Sequence, residues 1–272
     1  MPGNLPSIVP GIVRLEYRNV SMRFDDGAGK NLVAVQDVNL MVGDREVVSL
    51  IGPSGCGKST LLNIGAGLTG PSEGAAFVDG ERVEGPNAHV AFMLQKDLLL
   101  PWRTVLENVM FGVEIQRVPL AERKRRAQTL LASLSLSDFA DHYPHQLSGG
   151  MRQRVALART LAVDPTVLLL DEPFSAVDAQ TRMLLQRELA QTLMRESKTA
   201  LLITHDLQEA VTLSDRVLVM SKRPGTIIDE IVIEMPQRDN PIARRHEPRV
   251  NHYVDVLMQR LGIDQPQAAV SV

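Results

Sequence analysis

Nine consecutive residues, Gly52-Pro53-Ser54-Gly55-Cys56-Gly57-Lys58-Ser59-Thr60, carry the spacing G-x-x-x-x-G-K-[ST]. Glycines in that pattern let a backbone curl so that successive N–H groups face inward around an anion, and a helix starting at the loop's end adds its positive terminus to the same point. The flanks suit this: the apolar run Val47-Val48-Ser49-Leu50-Ile51 precedes the loop and a helical pattern over residues 61–68 follows it. Lys58 is then placed to bridge the outer phosphates of a nucleotide, and the Ser59 hydroxyl to ligate Mg²⁺. Cys56 occupies an unspecified position of the motif with no base beside it, so a structural place in the loop is expected rather than a reactive thiol.

A second constellation is Leu168-Leu169-Leu170-Asp171-Glu172, two acids at the end of an apolar strand. Beside a phosphate loop, Asp171 fits the Mg²⁺ partner. Glu172, the next residue along, is expected on the opposite side of the strand line, where it can polarise an attacking water as general base.

The elements that must hold these groups are legible in outline. Val13-Arg14-Leu15-Glu16-Tyr17-Arg18-Asn19-Val20 alternates apolar with polar, and a similar run over residues 32–40 follows a Gly-containing turn at residues 25–30. Both predict half-exposed antiparallel strands. From Glu46 onward the strand-like runs are short and wholly apolar, as in Val47–Ile51, Thr166-Val167-Leu168-Leu169-Leu170, Ala200-Leu201-Leu202-Ile203 and Val217-Leu218-Val219-Met220. Such runs predict central parallel strands covered on both faces by helices. A helix-rich stretch at about residues 97–162 reads as a helical subdomain inserted into that α/β core. Arg223-Pro224-Gly225 introduces a hairpin into Ile227-Ile228-Asp229-Glu230-Ile231-Val232-Ile233, closing a domain over residues 13–233. The remaining tail, residues 234–272, is polar, with Val250, Val254, Leu257, Met258 and Leu261 at the spacing of a short capping helix.

Composition narrows the partners. Lys and Arg total 29 against 32 Asp and Glu, a net charge of -3, which gives no electrostatic footprint for nucleic acid. The basic run Arg123-Lys124-Arg125-Arg126 reads as a solvated helix face. A single cysteine excludes an internal disulfide framework and suits a reducing compartment. The first residues lack the basic start and apolar core of a signal peptide, and the apolar runs are far shorter than the roughly 20 residues of a membrane-spanning helix. A role at a membrane would therefore require docking onto a protein that spans it.

One further segment separates this chain from other phosphate-loop proteins: Leu147-Ser148-Gly149-Gly150-Met151-Arg152-Gln153-Arg154, upstream of Asp171. It resembles the signature of the ABC transporter ATP-binding proteins, with Met151 where the family's commonest form has Gln. The resemblance runs from about residue 13 to 233. It implies the ABC ATPase cassette: a P-loop NTPase (RecA-like) α/β core, an N-terminal antiparallel β subdomain and an inserted α-helical subdomain. Gln95 falls at the family's Q-loop, Ser175-Ala176-Val177-Asp178 at its D-loop, His205 at its switch histidine and Phe24 at its adenine-stacking aromatic. By this resemblance ATP is held by Phe24, by Gly52, Pro53, Ser54, Gly55, Cys56, Gly57, Lys58, Ser59 and Thr60, and by Ser148, Gly149, Gly150 and Asp178. It likewise gives Mg²⁺ to Ser59, Gln95 and Asp171, and catalysis to Glu172, His205 and Gln95. Contacts from Ser148 and the glycine backbone at a helix start leave room for Met151.

The family further implies a homodimer in which the signature of one copy covers the ATP at the loop of the other. Its other partners are transmembrane permease subunits at the cytoplasmic face of the inner membrane and, indirectly, a periplasmic or lipid-anchored solute-binding protein. Leu99-Leu100-Pro101-Trp102 with Val105, Glu107-Asn108-Val109, and Ser221-Lys222-Arg223-Pro224-Gly225 with Glu230-Ile231 are similar to the importer branch serving nitrate, aliphatic sulfonates and taurine. The apolar segment Leu98-Leu99-Leu100-Pro101-Trp102 has two readings, burial in the helical insert or a groove for a partner helix. Competing functions share the loop. A soluble ABC ATPase acting on DNA or ribosomes would add a second cassette or long insertions, a small-molecule kinase would have no use for residues 147–151, and an exporter subunit would share every motif.

Overall fold

Alternating burial along β1 (Val13–Asp25), where Leu15, Tyr17 and Val20 turn inward, makes it the centre of an antiparallel sheet. The computed structural model describes residues 11–25, 31–175 and 177–263. The turn residues 26–30, Ala176 and residues 1–10 and 264–272 lie outside the described residues. β2 (Asn31–Gly43) pairs antiparallel with β1. β3 (Val47–Ile51) opens a second sheet and runs through the glycine-rich loop into α1 (Lys58–Gly65). β4 (Glu73–Val78) and β5 (Glu81–Arg82) return to the first sheet, whose order is β2-β1-β4-β5.

The chain then enters the second sheet at β6 (Val90–Met93) and leaves it for α2 (Val105–Ile115), α3 (Leu120–Ser133) and α4 (Gly149–Ala162). Next come β7 (Val167–Asp171), α5 (Ala179–Arg195), β8 (Thr199–Ile203), α6 (Leu207–Leu213) and β9 (Arg216–Met220). β10 (Ile227–Val232), α7 (Pro241–Arg244) and α8 (Arg249–Leu261) complete the described chain. The second sheet has the order β10-β9-β3-β8-β7-β6. Its strands are parallel except β10, which pairs antiparallel with β9. Every residue of β3, β7, β8 and β9 is buried, which is why their sequences are apolar apart from Ser49, Asp171, Thr199 and Arg216.

Three strands were not expected from the sequence. β4 is built from small residues, Glu-Gly-Ala-Ala-Phe-Val, β5 has two residues, and β6 has only four. The first turn of α1 already contains Lys58, Ser59 and Thr60, so the helix starts inside the motif rather than after it. The helices of residues 97–162 do not keep a core of their own. Val105, Val109, Leu130, Leu157 and Leu161 belong to one buried cluster with Leu168 and Leu170 of β7 and Leu185 and Leu189 of α5. The Leu98-to-Trp102 segment divides between its two readings: Leu99 is buried, while Leu98 and Trp102 are 54% and 71% exposed. Asn108, fully buried on α2, fixes that segment by bonding Leu100 at both its N–H and carbonyl, and the Arg103 carbonyl.

This topology places the motifs. The loop follows β3, Gln95 follows β6, Asp171 ends β7 and His205 follows β8, so all four stand at the carboxyl edge of one sheet.

Candidate functional site

Gly57 takes φ 105°, and a Cβ there would lie 2.3 Å from Val35 Cγ1 and 3.0 Å from the Ala34 carbonyl. Only glycine lets the loop lie this close to β2 while turning into the left-handed region. Lys58 is buried and folds back over the loop, its Nζ donating to the carbonyls of Gly52 at 2.7 Å and Pro53 at 2.9 Å. Gly57 precedes α1 with no capping side chain, which leaves the helix's first N–H groups facing the loop's concavity. Cys56 is buried, its Sγ 3.7 Å from Lys58 Nζ, in the structural place expected of it.

Asp171 is hydrogen-bonded to Ser59. Burial pushes the Asp171 carboxyl above its ordinary range; the bond from Ser59 opposes this, adjacent Glu172 adds to it, and the charge of Lys58 opposes it. A mostly buried carboxylate next to a hydroxyl is an oxygen donor pair that suits a hard divalent cation.

Glu172 reaches its place by a route the strand pattern does not contain. β7 ends at Asp171, and Glu172 adopts φ 46°, with its N–H bonded to the Ile203 carbonyl of β8. Left-handed backbone, rather than strand alternation, aims its side chain. Its Oε2 accepts from Gln95 Nε2 at 2.9 Å and lies 3.3 Å from His205 Nδ1. Three residues from three strand ends thus meet on one carboxylate oxygen.

Glu172 and His205 line a cleft of about 390 Å³ together with Phe24, Gly52, Ser54, Gly55, Gly57, Lys58, Ser59 and Thr60. Phe24, at the end of β1, is 42% exposed and offers a ring face at the edge of this cleft. Arg223 also lines it, a residue outside the motifs read from the sequence as the site. Its Nε and Nη2 both donate to the Gly55 carbonyl, at 2.9 and 2.6 Å. The contact exists because Gly225 bonds to Ala34 and Gln36 of β2 and carries the turn between β9 and β10 back onto the loop. No local sequence signal encodes that return.

Ser148, Gly149, Gly150 and Asp178 stand apart from this cleft. Ser148 is the N-cap of α4, accepting from Met151 N–H at 3.3 Å, and Asp178 is the N-cap of α5, accepting from Thr181 N–H at 2.9 Å. The bonds from Thr181 hold the Asp178 carboxyl below the usual range. A Cβ on Gly150 would sit 2.8 Å from Thr181 Cγ2, so glycine brings the two helix starts together. Gly149 lines a second cleft with Gln95, Leu98, Leu99 and Arg152. Met151 packs against the helical part of the core, an apolar contact that suits methionine there.

The family profile described as ABC transporter matches residues 35–175. The taurine import ATP-binding protein TauB of Pseudomonas entomophila (strain L48) is 43% identical over 259 residues, spanning 94% of this chain and 99% of that protein. An uncharacterised ABC transporter ATP-binding protein of Methanocaldococcus jannaschii is 48% identical over 223 residues, 82% of this chain and 83% of its own length. Among solved structures, the dimeric ATP-binding cassette MJ0796 in a post-hydrolysis state bound to ADP and Pi superposes with a TM-score of 0.73 at 32% identity, covering 81% of this chain and 99% of that one. On the loop, the paired acids and these likenesses together, the chain belongs to the ABC transporter family, as an ATP-binding cassette.

Proposed function

We propose that this chain is the ATP-binding and ATP-hydrolysing subunit of an ABC importer for a small organic or anionic solute of the nitrate, aliphatic sulfonate and taurine class. The observation that carries the reading is the meeting of Gln95, Glu172 and His205 on one oxygen at the lip of the Lys58 loop. Similarity to taurine import ATP-binding proteins over nearly the whole chain supports the importer direction and the solute class.

The residues divide the work. The loop N–H groups and Lys58 bind the outer phosphates of ATP, and Phe24 stacks on the base. Ser59, Asp171 and Gln95 would hold a Mg²⁺ ion, which supplies charge neutralisation at those phosphates. Glu172 takes the proton of a water as its oxygen attacks the γ-phosphorus, and the bond to the ADP oxygen breaks. Gln95 holds the Glu172 carboxylate by its amide, and His205 steadies the charge growing on the transferred phosphoryl group.

Two copies pair head to tail, the Ser148 helix start of each over the loop of the other, as the dimeric form of the similar cassette MJ0796 suggests. Closure of that dimer on ATP, and its release after hydrolysis, drives permease subunits that bind the two states differently. Exposed Leu98 and Trp102, next in sequence to Gln95, are the face for a permease helix. Among the described residues no helix is long and apolar enough to cross a membrane. Docking on the permease holds the chain at the cytoplasmic face of the inner membrane, in keeping with its likeness to import ATP-binding proteins. A periplasmic or lipid-anchored binding protein delivers the solute from the other side. Reconstitution with its permease subunits tests the reading: ATP-dependent uptake of taurine, an alkanesulfonate or nitrate is expected, and uptake of none of them overturns the solute class.

A further inference from the structure

Two consecutive arginines of the C-terminal segment bear on α6, the helix that begins just after His205, one directly at its end and the other through Gln186 of α5 at its start. Arg244 is 2% exposed, and its guanidinium donates to the carbonyls of Thr212 at 3.3 Å and Ser214 at 3.0 Å, where α6 ends. It also bonds the Met235 and Pro236 carbonyls, at 2.6 and 2.8 Å, which fixes the segment's own path. Arg245 Nη2 donates to Gln186 Oε1 of α5 at 2.9 Å, and Gln186 Nε2 donates to Glu209 Oε2 in the first turn of α6 at 2.8 Å.

Glu209 ties that chain of bonds to the histidine. It is buried, and it accepts from the side chain of Thr204, the residue before His205. Asp206, the residue after His205, accepts from the Glu209 N–H at 3.0 Å and donates its own N–H to Thr204 Oγ1 at 3.0 Å. His205 is therefore an exposed side chain carried between two residues locked into the start of α6. An isolated helix of seven residues is marginal, so what grips its ends sets where it stands.

We propose that the C-terminal segment, through Arg244, Arg245, Gln186 and Glu209, is the positioning element for His205, so that the tail acts on hydrolysis without touching nucleotide. This rests on the reading of His205 as a phosphoryl-group contact. Displacement of a catalytic donor by an ångström or less slows the chemical step while binding at the loop is untouched.

The test is steady-state hydrolysis of MgATP by the purified full chain. Arg245→Ala is expected to lower kcat by about tenfold with KM for ATP changed less than about twofold. Arg245→Lys, which keeps a donor, is expected to regain most of the loss. Arg245→Met keeps the aliphatic stem and removes only the donor, and it carries the same split should the alanine variant not fold. His205→Ala is the control. If that variant is inactive while Arg245→Ala and Arg245→Met stay within about twofold of the parent kcat, the positioning role is overturned and the site reading stands. A KM that rises in step with the fall in kcat also overturns it, because the tail would then be supporting the fold at large. Full activity in His205→Ala removes the histidine reading and the tail proposal together.

Discussion

The strand-end cleft and the paired helix starts of α4 and α5 are built on opposite plans. In the cleft, charged groups answer one another inside the chain: Lys58 to the loop carbonyls, Asp171 to Ser59, and Glu172 to Gln95 and His205. At the helix starts, Ser148 and Asp178 are engaged in capping their own helices, and glycine keeps the surface flat and close. On the proposed reading, one region moves a proton and stabilises a phosphoryl group, and the other offers backbone N–H groups at a helix terminus to an anion brought from outside. The contrast fits the pairing proposed above, in which one copy holds the chemistry and its partner completes the enclosure.

Glu172→Gln separates the two plans most strongly. The amide keeps the shape and the contacts at the cleft but cannot take a proton, so kcat should fall by about 10²-fold or more while ATP still binds. The bound nucleotide should then hold two copies together, visible as an ATP-dependent increase in mass by light scattering. Hydrolysis near the parent rate would remove Glu172 from the role of base.

Arg223 sharpens the cleft side of the comparison, with a smaller effect. It reaches the loop from the turn after β9, and its two donors converge on the Gly55 carbonyl. Loss of an exposed, charge-assisted pair of this kind should cost ~1 kcal/mol in ATP binding, about a fivefold rise in KM with kcat retained. An unchanged KM in Arg223→Ala would mean that the loop holds its shape without the arginine.

What was legible in the sequence follows the range of the interactions. Strands buried on both faces advertise themselves as apolar runs, and the motifs that follow them are contiguous, so the loop and the paired acids are readable from the residues, whereas His205 is reached only through the family resemblance. β4 and β6 are not readable, because their pairing depends on partners far along the chain, Arg18 to Ala75 in one case and Val90 to Val167 in the other. Glu172 is legible as the acid beside Asp171, but strand alternation does not give its aim, which a left-handed residue supplies. Arg223 and the Arg245–Gln186–Glu209 chain were invisible for a third reason: each is a contact between elements that only the finished topology brings together.

The comparison is broken or kept by mixing two inactive variants. Lys58→Ala removes the loop cation, and Ser148→Arg places a bulky side chain at the exposed start of α4; each homodimer should be inactive, the second while still binding ATP at its own loop. In a purified heterodimer the Ser148→Arg chain contributes an intact loop and the Lys58→Ala chain an intact signature. If each enclosure is completed by the other copy, those two intact halves face one another at one site, and both damaged halves meet at the second. Roughly a tenth to a half of the parent activity should return from the single whole site. If instead each chain completed its own enclosure, both sites of the pair would carry one damaged half and no activity would return. Full hydrolysis by the Ser148→Arg homodimer would be the more severe result, since it would leave the start of α4 with no part in the enclosure at all.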